Sequence, residues 1–184
     1  MKQKRIYASL LYLFIVLVGI VVFAYQLFSH NNSIHMTVKT WNGKEFLISD
    51  SIKKMIHNQL KDSTDLSKYI VISYLDSTTC TSCRIRAFDR TIDSLKKESN
   101  KQIRSLLVID SKTLNDVNYA LLNNRFKCPY VIDYEEKINR QNNIPKDDII
   151  RTFLVDSRYR VILIGNPILS RNIFNLFVKE IKNG

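Results

Sequence analysis

Cysteine and glycine are both scarce in this 184-residue chain, and each shortage removes a class of protein. Three cysteines, at positions 80, 83 and 128, cannot all pair with one another. The disulfide framework of a small secreted scaffold is therefore excluded. No cysteine precedes Cys80, so the N-terminal region offers no thiol for a lipid. Only 4 glycines in a composition that is 45% hydrophobic rule out a low-complexity or disordered chain, and no internal repeat is visible. There is no second C-x-x-C and no H-x-x-x-H. The ligands left for zinc beside Cys80 and Cys83 are Cys128, His30, His35 and His57, none in a second C-x-x-C or an H-x-x-x-H pattern. Neither a metal nor a cofactor is expected. The formal net charge is +11, yet the basic residues beyond the N-terminus are scattered and no run interleaves them with aromatics. That pattern reads as a solvated basic face, with no nucleic-acid partner.

Charge is also missing from Ile6 to Phe28, and this gap has a positive meaning. At about 1.5 Å per residue the segment spans ~34 Å as a helix, enough for a bilayer core of ~30 Å. A cleaved secretory leader, the alternative, has a shorter apolar core and a small-x-small site after it. No such site stands around Phe23-Ala24-Tyr25-Gln26. Lys2, Lys4 and Arg5 precede the segment and are expected to stay in the cytoplasm, which sends everything after Phe28 to the other side. The expected organisation is a signal anchor over 1–28, a linker and the start of a hairpin over 29–43, and one folded domain over 44–184. A second globular domain has no room. The expected location is a single-pass membrane protein with its domain outside the cytoplasm, on the periplasmic side of the inner membrane in a Gram-negative cell.

Within the domain, Ile34 to Ile48 carries Trp41-Asn42-Gly43 between short apolar runs, which predicts a small hairpin added to the main sheet. Tyr69 to Leu75 is β-branched and aromatic throughout, as a buried central strand is. From Cys80 to about Glu98, Ile85, Phe88, Ile92 and Leu95 recur at steps of 3, 4 and 3, one face of a helix. A strand over Ile103–Ile109, a helix over Thr113–Asn123 and a short strand over Tyr130–Asp133 follow. Arg151–Asp156 and Arg160–Ile164 flank a turn as an antiparallel pair, and a helix from Ser170 to about Lys182 closes the chain. The fold class is α/β, a mixed central sheet flanked by helices.

The chemistry lies in Cys80-Thr81-Ser82-Cys83, where a strand hands over to a helix. Two cysteines at i and i+3 on a first helical turn can approach within disulfide range, and the positive end of the helix stabilises a thiolate. Cys80 is assigned as the attacking thiolate and Cys83, one turn in and expected to be the less accessible thiol, as the resolving one. Arg84 and Arg86 add positive charge nearby. A bare C-x-x-C is also half of many zinc sites; its placement between strand and helix favours the redox reading. Cys128 is expected to be a small buried residue.

Strand, C-x-x-C helix, strand, helix, an insertion, a TFLVD-turn-VILIG hairpin and a last helix resemble the thioredoxin fold, specifically the TlpA/ResA-type membrane-anchored thiol–disulfide oxidoreductases, from about Lys44 to the C-terminus. The resemblance implies exchange with thiol- or disulfide-containing envelope proteins and an electron donor that keeps the pair reduced. It also implies three features that this chain lacks. Arg151 stands where a cis-proline is expected just before the strand at Thr152. Thr81-Ser82 replaces the Gly-Pro or Glu-Pro dipeptide. Tyr74 occupies the position of the buried carboxylate, with Asp76 as the alternative proton acceptor. Two other readings stay open: a redox-inactive thioredoxin-like interaction domain with a static disulfide, and a peroxiredoxin-like peroxidase, for which Ser77 fits but Ser73 stands in place of the motif proline.

Overall fold

The computed structural model describes residues 15–26, 36, 38–59, 66–76, 81–110, 112 and 126–184. The chain divides into two compact units, Met1–Lys39 and Thr40–Gly184. In the first, residues 15–26 are helical, and every one of them is exposed although Ile15, Val18, Val22 and Phe23 are apolar. No helix among the described residues is long and apolar enough to cross a membrane. The uncharged segment Ile6–Phe28 reaches beyond the described residues at both ends.

The second unit is built on a five-stranded sheet of order β3-β2-β1-β4-β5. Its strands are β1 (Leu66–Leu75), β2 (Gln102–Asp110), β3 (Tyr130–Asp133), β4 (Thr152–Val155) and β5 (Val161–Ile164). The helices are α1 (Asp50–His57), α2 (Thr81–Ser99), α3 (Lys137–Asn142) and α4 (Arg171–Asn183). β1 runs parallel to β2, and β2 parallel to β3. β4 and β5 are antiparallel on the other side of β1. A β-α-β unit joined to an antiparallel hairpin and a closing helix is the thioredoxin-like α/β arrangement that the element order implies. The expected helix over Thr113–Asn123 lies outside the described residues.

Alternation along the strands sorts the core into two layers. Val71 and Leu75 of β1, with Leu107 and Ile109 of β2, face Ile85, Phe88, Ile92 and Leu95 of α2 and Phe174, Phe177 and Ile181 of α4. The side chains between them, Ile70, Ile72 and Tyr74, point to the opposite face and are as deeply buried. Burial on both faces is why β1 reads as an unbroken apolar run. α2 stops at Ser99, whose hydroxyl folds back onto the Leu95 carbonyl at 2.6 Å, and Asn100 leaves the helix with φ 56°. Asparagine tolerates that left-handed step better than most residues. At the other end of the sheet, Gly165 has φ +148°, and a Cβ there would stand 3.0 Å from the Ile173 side chain. Close packing of α4 on the end of β5 therefore requires the glycine.

The N-terminal part of this unit is not a hairpin. Residues 38–41 are helical, and the chain then lies along β5: the Gly43 amide donates to the Val161 carbonyl, the Val161 amide to Lys44, and the Phe46 amide to Tyr159, each at 2.8 Å. The cause is Trp41. Its indole is 3% exposed and packs on Phe153 with ring centroids 4.8 Å apart, which turns the chain inward before Gly43. Of the expected hairpin, Ile34, His35 and Thr37 lie outside the described residues. The segment still performs the expected addition to the sheet, since it covers the outer edge of β5.

Two side chains extend the backbone ladder where no strand is present. The Gln59 amide both donates to and accepts from the Ser105 backbone, at 3.1 Å each, on the edge that β3 reaches only at Leu107. Asn142, fully buried, takes the Leu47 amide at 2.7 Å and donates to the Leu47 carbonyl at 2.8 Å, while its own carbonyl accepts from Lys44 Nζ at 2.7 Å. This one side chain joins the N-terminal segment to the helix inserted before β4. Asn142→Leu leaves the two part-buried backbone groups of Leu47 without this partner, at roughly 1–2 kcal/mol each. Urea denaturation of the purified protein is expected to show a loss of about 2–4 kcal/mol on that basis, whereas substitution of the exposed neighbour Asn143 by Gly, which suits its φ of 55°, should cost little.

Candidate active site

β1 delivers the chain to the site. Its last residue is Leu75, Asp76 follows, and α2 begins at Thr81. Cys80 and Ser77 lie outside the described residues. Cys83 lies in the first turn of α2 and is exposed, not recessed as its position one turn in suggested. At ~100° per residue it stands about 200° around the helix from Ile85, the first member of the buried stripe. The side of α2 that holds the core thus dictates that Cys83 faces outward. The first turn of α2 contains no acidic residue, so nothing of its own offsets the positive end of the helix.

Arg84 and Arg86 divide. Arg86 is exposed and Arg84 half-buried, and Arg84 forms an ion pair with Asp148, on the 3-10 turn Asp148–Ile150 that precedes β4. Asp76, the alternative proton acceptor, pairs with Arg151, and the two side chains are 15% and 9% exposed. Arg151 also donates from Nε to the Pro145 carbonyl at 2.8 Å and from Nη2 to the Lys146 carbonyl. Its own carbonyl accepts from the Tyr74 amide at 2.9 Å, which continues the β1–β4 ladder one step past Thr152. No cis peptide bond occurs among the described residues. The position that the resemblance assigns to a proline ring is held instead by a guanidinium with three partners. Removing one member of a pair this deeply buried leaves an uncompensated charge, at a cost of about 3–5 kcal/mol.

Next to this pair, at the carboxyl ends of β1, β2 and β3, is a polar cleft of about 330 Å³ lined by Tyr74, Asp76, Asp110, Lys112, Glu136 and Arg151, among others. In open α/β sheets such strand ends are where ligands gather. The charges there are largely matched: Lys112 bonds to Glu136, and the Tyr74 hydroxyl donates to Asp133 Oδ2 at 3.3 Å. Asp133 in turn accepts the Ile138 and Asn139 amides that open α3, at 2.8 and 3.0 Å. Burial first, then the negative charge of Asp133 and Asp110, pushes the Tyr74 phenol far above its ordinary range. A neutral hydroxyl therefore occupies the place where the resemblance implies a carboxylate. Sequence reading missed Asp110, Asp133 and Asp148. A signal for the first two is present, because β2 and β3 both end in Val-Ile-Asp after an apolar run.

Ser73, the position of the missing peroxidase proline, is buried in mid-strand and bonds to Thr152 Oγ1 at 2.9 Å. Cys128 is 9% exposed and packs in the core cluster with Phe88 and Leu107, as expected of a small buried residue. Its amide and that of Lys127 both donate to the Asp89 carboxylate on α2, at 3.2 Å. Pro129, directly before β3, accepts from the Leu107 amide at 3.0 Å and so sets the first rung of the β2–β3 ladder.

No known family's sequence profile matches this chain, and no curated protein matches it either. Solved structures do. One is a secreted Mycobacterium tuberculosis disulfide oxidoreductase homologous to E. coli DsbE, 8% identical, with 64% of this chain and 85% of that one covered at a TM-score of 0.46. Another is the thioredoxin domain of a thiol–disulfide oxidoreductase from Bacteroides vulgatus, 16% identical over 66% and 84% of the two chains, TM-score 0.45. A third is StoA from Bacillus subtilis, 12% identical over 61% and 85%, TM-score 0.43.

Burial, then the adjoining Asp89, pushes the Cys128 thiol up to about 12 from 9.0. The folded state thus keeps a proton that the unfolded chain releases from about pH 9 upward. The contribution is fully present below pH 9 and is lost as pH rises toward 12, with a slope of at most about 1.4 kcal/mol per pH unit. Denaturation curves between pH 8 and 10.5 should show the wild type losing stability faster than Cys128→Ala, which starts less stable but lacks this term. Equal slopes would remove Cys128 as the cause.

Proposed function

We propose that this chain carries out thiol–disulfide exchange through Cys80 and Cys83, most simply the reduction of disulfides in envelope proteins, from a domain tethered to the membrane by its N-terminal segment. The observation that carries the reading is the position of the motif. A central strand buried on both faces ends at Leu75, and a helix without acidic residues in its first turn opens at Thr81 with Cys83 exposed. An electropositive, accessible helix start is the setting in which a cysteine reacts as thiolate.

The Cys80 thiolate attacks one sulfur of a substrate disulfide; a Cys80–substrate bond forms, and the departing substrate sulfur takes up a proton. Cys83, as thiolate, then attacks the Cys80 sulfur, forms the Cys80–Cys83 disulfide and releases the second substrate thiolate, which is protonated in turn. Two electrons have passed to the substrate, and a reducing dithiol on a donor protein restores the pair. Asp76 enters neither step as the proton acceptor, because Arg151 holds its carboxylate.

Support for the tether comes from residues 15–26, a helical stretch with exposed apolar side chains on all sides. A helix apolar all round belongs in a protein core or a lipid bilayer. One observation favours a second reading, a redox-inactive interaction domain: Arg151, buried and held by Asp76, Pro145 and Lys146, stands where the resemblance implies a substrate-binding proline.

Topology is tested with reporter fusions after residue 40, expected to be active only outside the cytoplasm, together with retention of the protein in membranes after alkaline carbonate washing. Cytoplasmic reporter activity would overturn the tethered, extracytoplasmic reading. For the chemistry, Cys83→Ser removes the resolving thiol and is expected to accumulate mixed disulfides with envelope proteins, whereas Cys80→Ser traps few or none. If neither variant traps a partner and the wild type reduces no disulfide, the interaction-domain reading takes over.

A further inference from the structure

Both flanks of the cysteine motif are tied by charge to one short stretch of chain. Before the motif, Asp76 pairs with Arg151; after it, Arg84 pairs with Asp148. The two anchors are three residues apart on a segment with little freedom. Asp147 caps the Asp148–Ile150 turn by accepting the Ile149 amide at 2.9 Å, and Ile150 donates to the Asp147 carbonyl at 3.1 Å. Asn166, 3% exposed, braces the same turn from the end of β5: its side chain donates to the Asp148 carbonyl at 3.1 Å, and its amide to the Ile149 carbonyl at 2.6 Å. Arg151 itself reaches back to Pro145 and Lys146. The turn is thus fixed to the sheet on one side and to both ends of the motif on the other.

We infer that Pro145–Arg151 is an ionic clamp on the cysteine motif, with Asp76, Arg84, Asp148 and Arg151 as positioning residues for Cys80 and Cys83. The inference rests on the exchange reading above and deepens it. In sequence Cys80 lies on the five-residue connection 76–80 between the end of β1 and α2, so its distance from Cys83 depends on how firmly those two ends are held. A clamp closed on both sides raises the effective concentration of one thiol at the other, and so favours the disulfide. Opening either side lowers it.

A simpler account has Arg84 acting only as a positive charge beside a thiolate. The two accounts separate on Asp148. As a mere charge, Arg84 is strengthened when Asp148 is neutralised, so Arg84→Gln and Asp148→Asn shift the cysteines in opposite directions. As one jaw of a clamp, both variants shift them in the same direction, and exchanging the two charges restores the wild-type value.

The outer pair is the one to test, because its side chains are 20% and 28% exposed and tolerate substitution better than the inner pair. Full-length protein in detergent is equilibrated with glutathione buffers, and the Cys80–Cys83 disulfide is quantified for the wild type, Arg84→Gln, Asp148→Asn and the double variant Arg84→Asp, Asp148→Arg. Each single variant is expected to lower the equilibrium constant about tenfold, equivalent to about 30 mV for a two-electron couple, and the charge exchange to recover most of the loss. Opposite shifts in the single variants, or no recovery in the double variant, overturn the clamp. Should the wild type form no Cys80–Cys83 disulfide in any buffer, the exchange reading falls by itself. Hydrogen exchange at the amides of residues 81–86 then decides the clamp: faster exchange in both single variants, reversed in the double variant, supports it, and unchanged exchange overturns it.

Discussion

β1 is hydrogen-bonded on both edges, parallel to β2 and antiparallel to β4, and covered on both faces. β2 and β4 are bonded on both edges as well, and β1 lies between them at the centre of the sheet, so the rest of the domain takes its positions from that strand. A slip of one residue would exchange Val71 and Leu75 with Ile70, Ile72 and Tyr74 between the two core layers, so the register cannot drift. The point at which the strand ends, and with it the place where the cysteine connection starts, is fixed to within a residue. α2 is held just as firmly at the other end of that connection, because its Ile85–Phe88–Ile92–Leu95 stripe faces the sheet and α4. The core thus sets where β1 ends and where α2 begins.

At the same end of the sheet the composition changes abruptly from apolar to charged. Asp76, Asp110 and Asp133 stand at the ends of three neighbouring parallel strands, and Glu136, Asn139, Ile144 and Pro145 line the cleft over part of that layer. Carboxylates placed there lose solvent and need partners, since an unpaired buried charge is far costlier than a paired one. Arg151 answers Asp76, and backbone amides and the Tyr74 hydroxyl answer Asp133. The outcome is a polar layer in which the phenol stays neutral while the carboxylate nearest the motif is committed to an arginine.

The third cysteine illustrates how burial separates chemistry within one chain. Cys128 is held against α2 by the same Asp89 carboxylate that caps its backbone, and loss of water keeps its thiol protonated at physiological pH. A thiol in that state neither attacks disulfides nor binds metal. Within one chain, then, one cysteine is sealed in the core while another, Cys83, is exposed in the first turn of a helix.

Much of this was legible in order and type. The unbroken run Tyr69–Leu75, the 3-4-3 spacing behind the motif, the short strand at Tyr130–Asp133 and the TFLVD-turn-VILIG pair specify their elements locally, because apolar periodicity is imposed by whichever face must be buried. The position of the C-x-x-C between strand and helix, and the burial of Cys128, follow from the same patterns. Other features depended on which elements meet. Trp41 turns the chain inward instead of making a hairpin because Phe153, more than a hundred residues later, offers it a surface. Cys83 faces outward because the opposite side of its helix is taken by the core. Arg151, in sequence only a proline that is absent, becomes in the folded chain the partner of Asp76, and Arg84 finds Asp148 64 residues away. Local spacing determines where a side chain points relative to its own element; the partner of a buried charge is set by the sheet order that brings distant strand ends together, and nothing in the neighbouring residues encodes it.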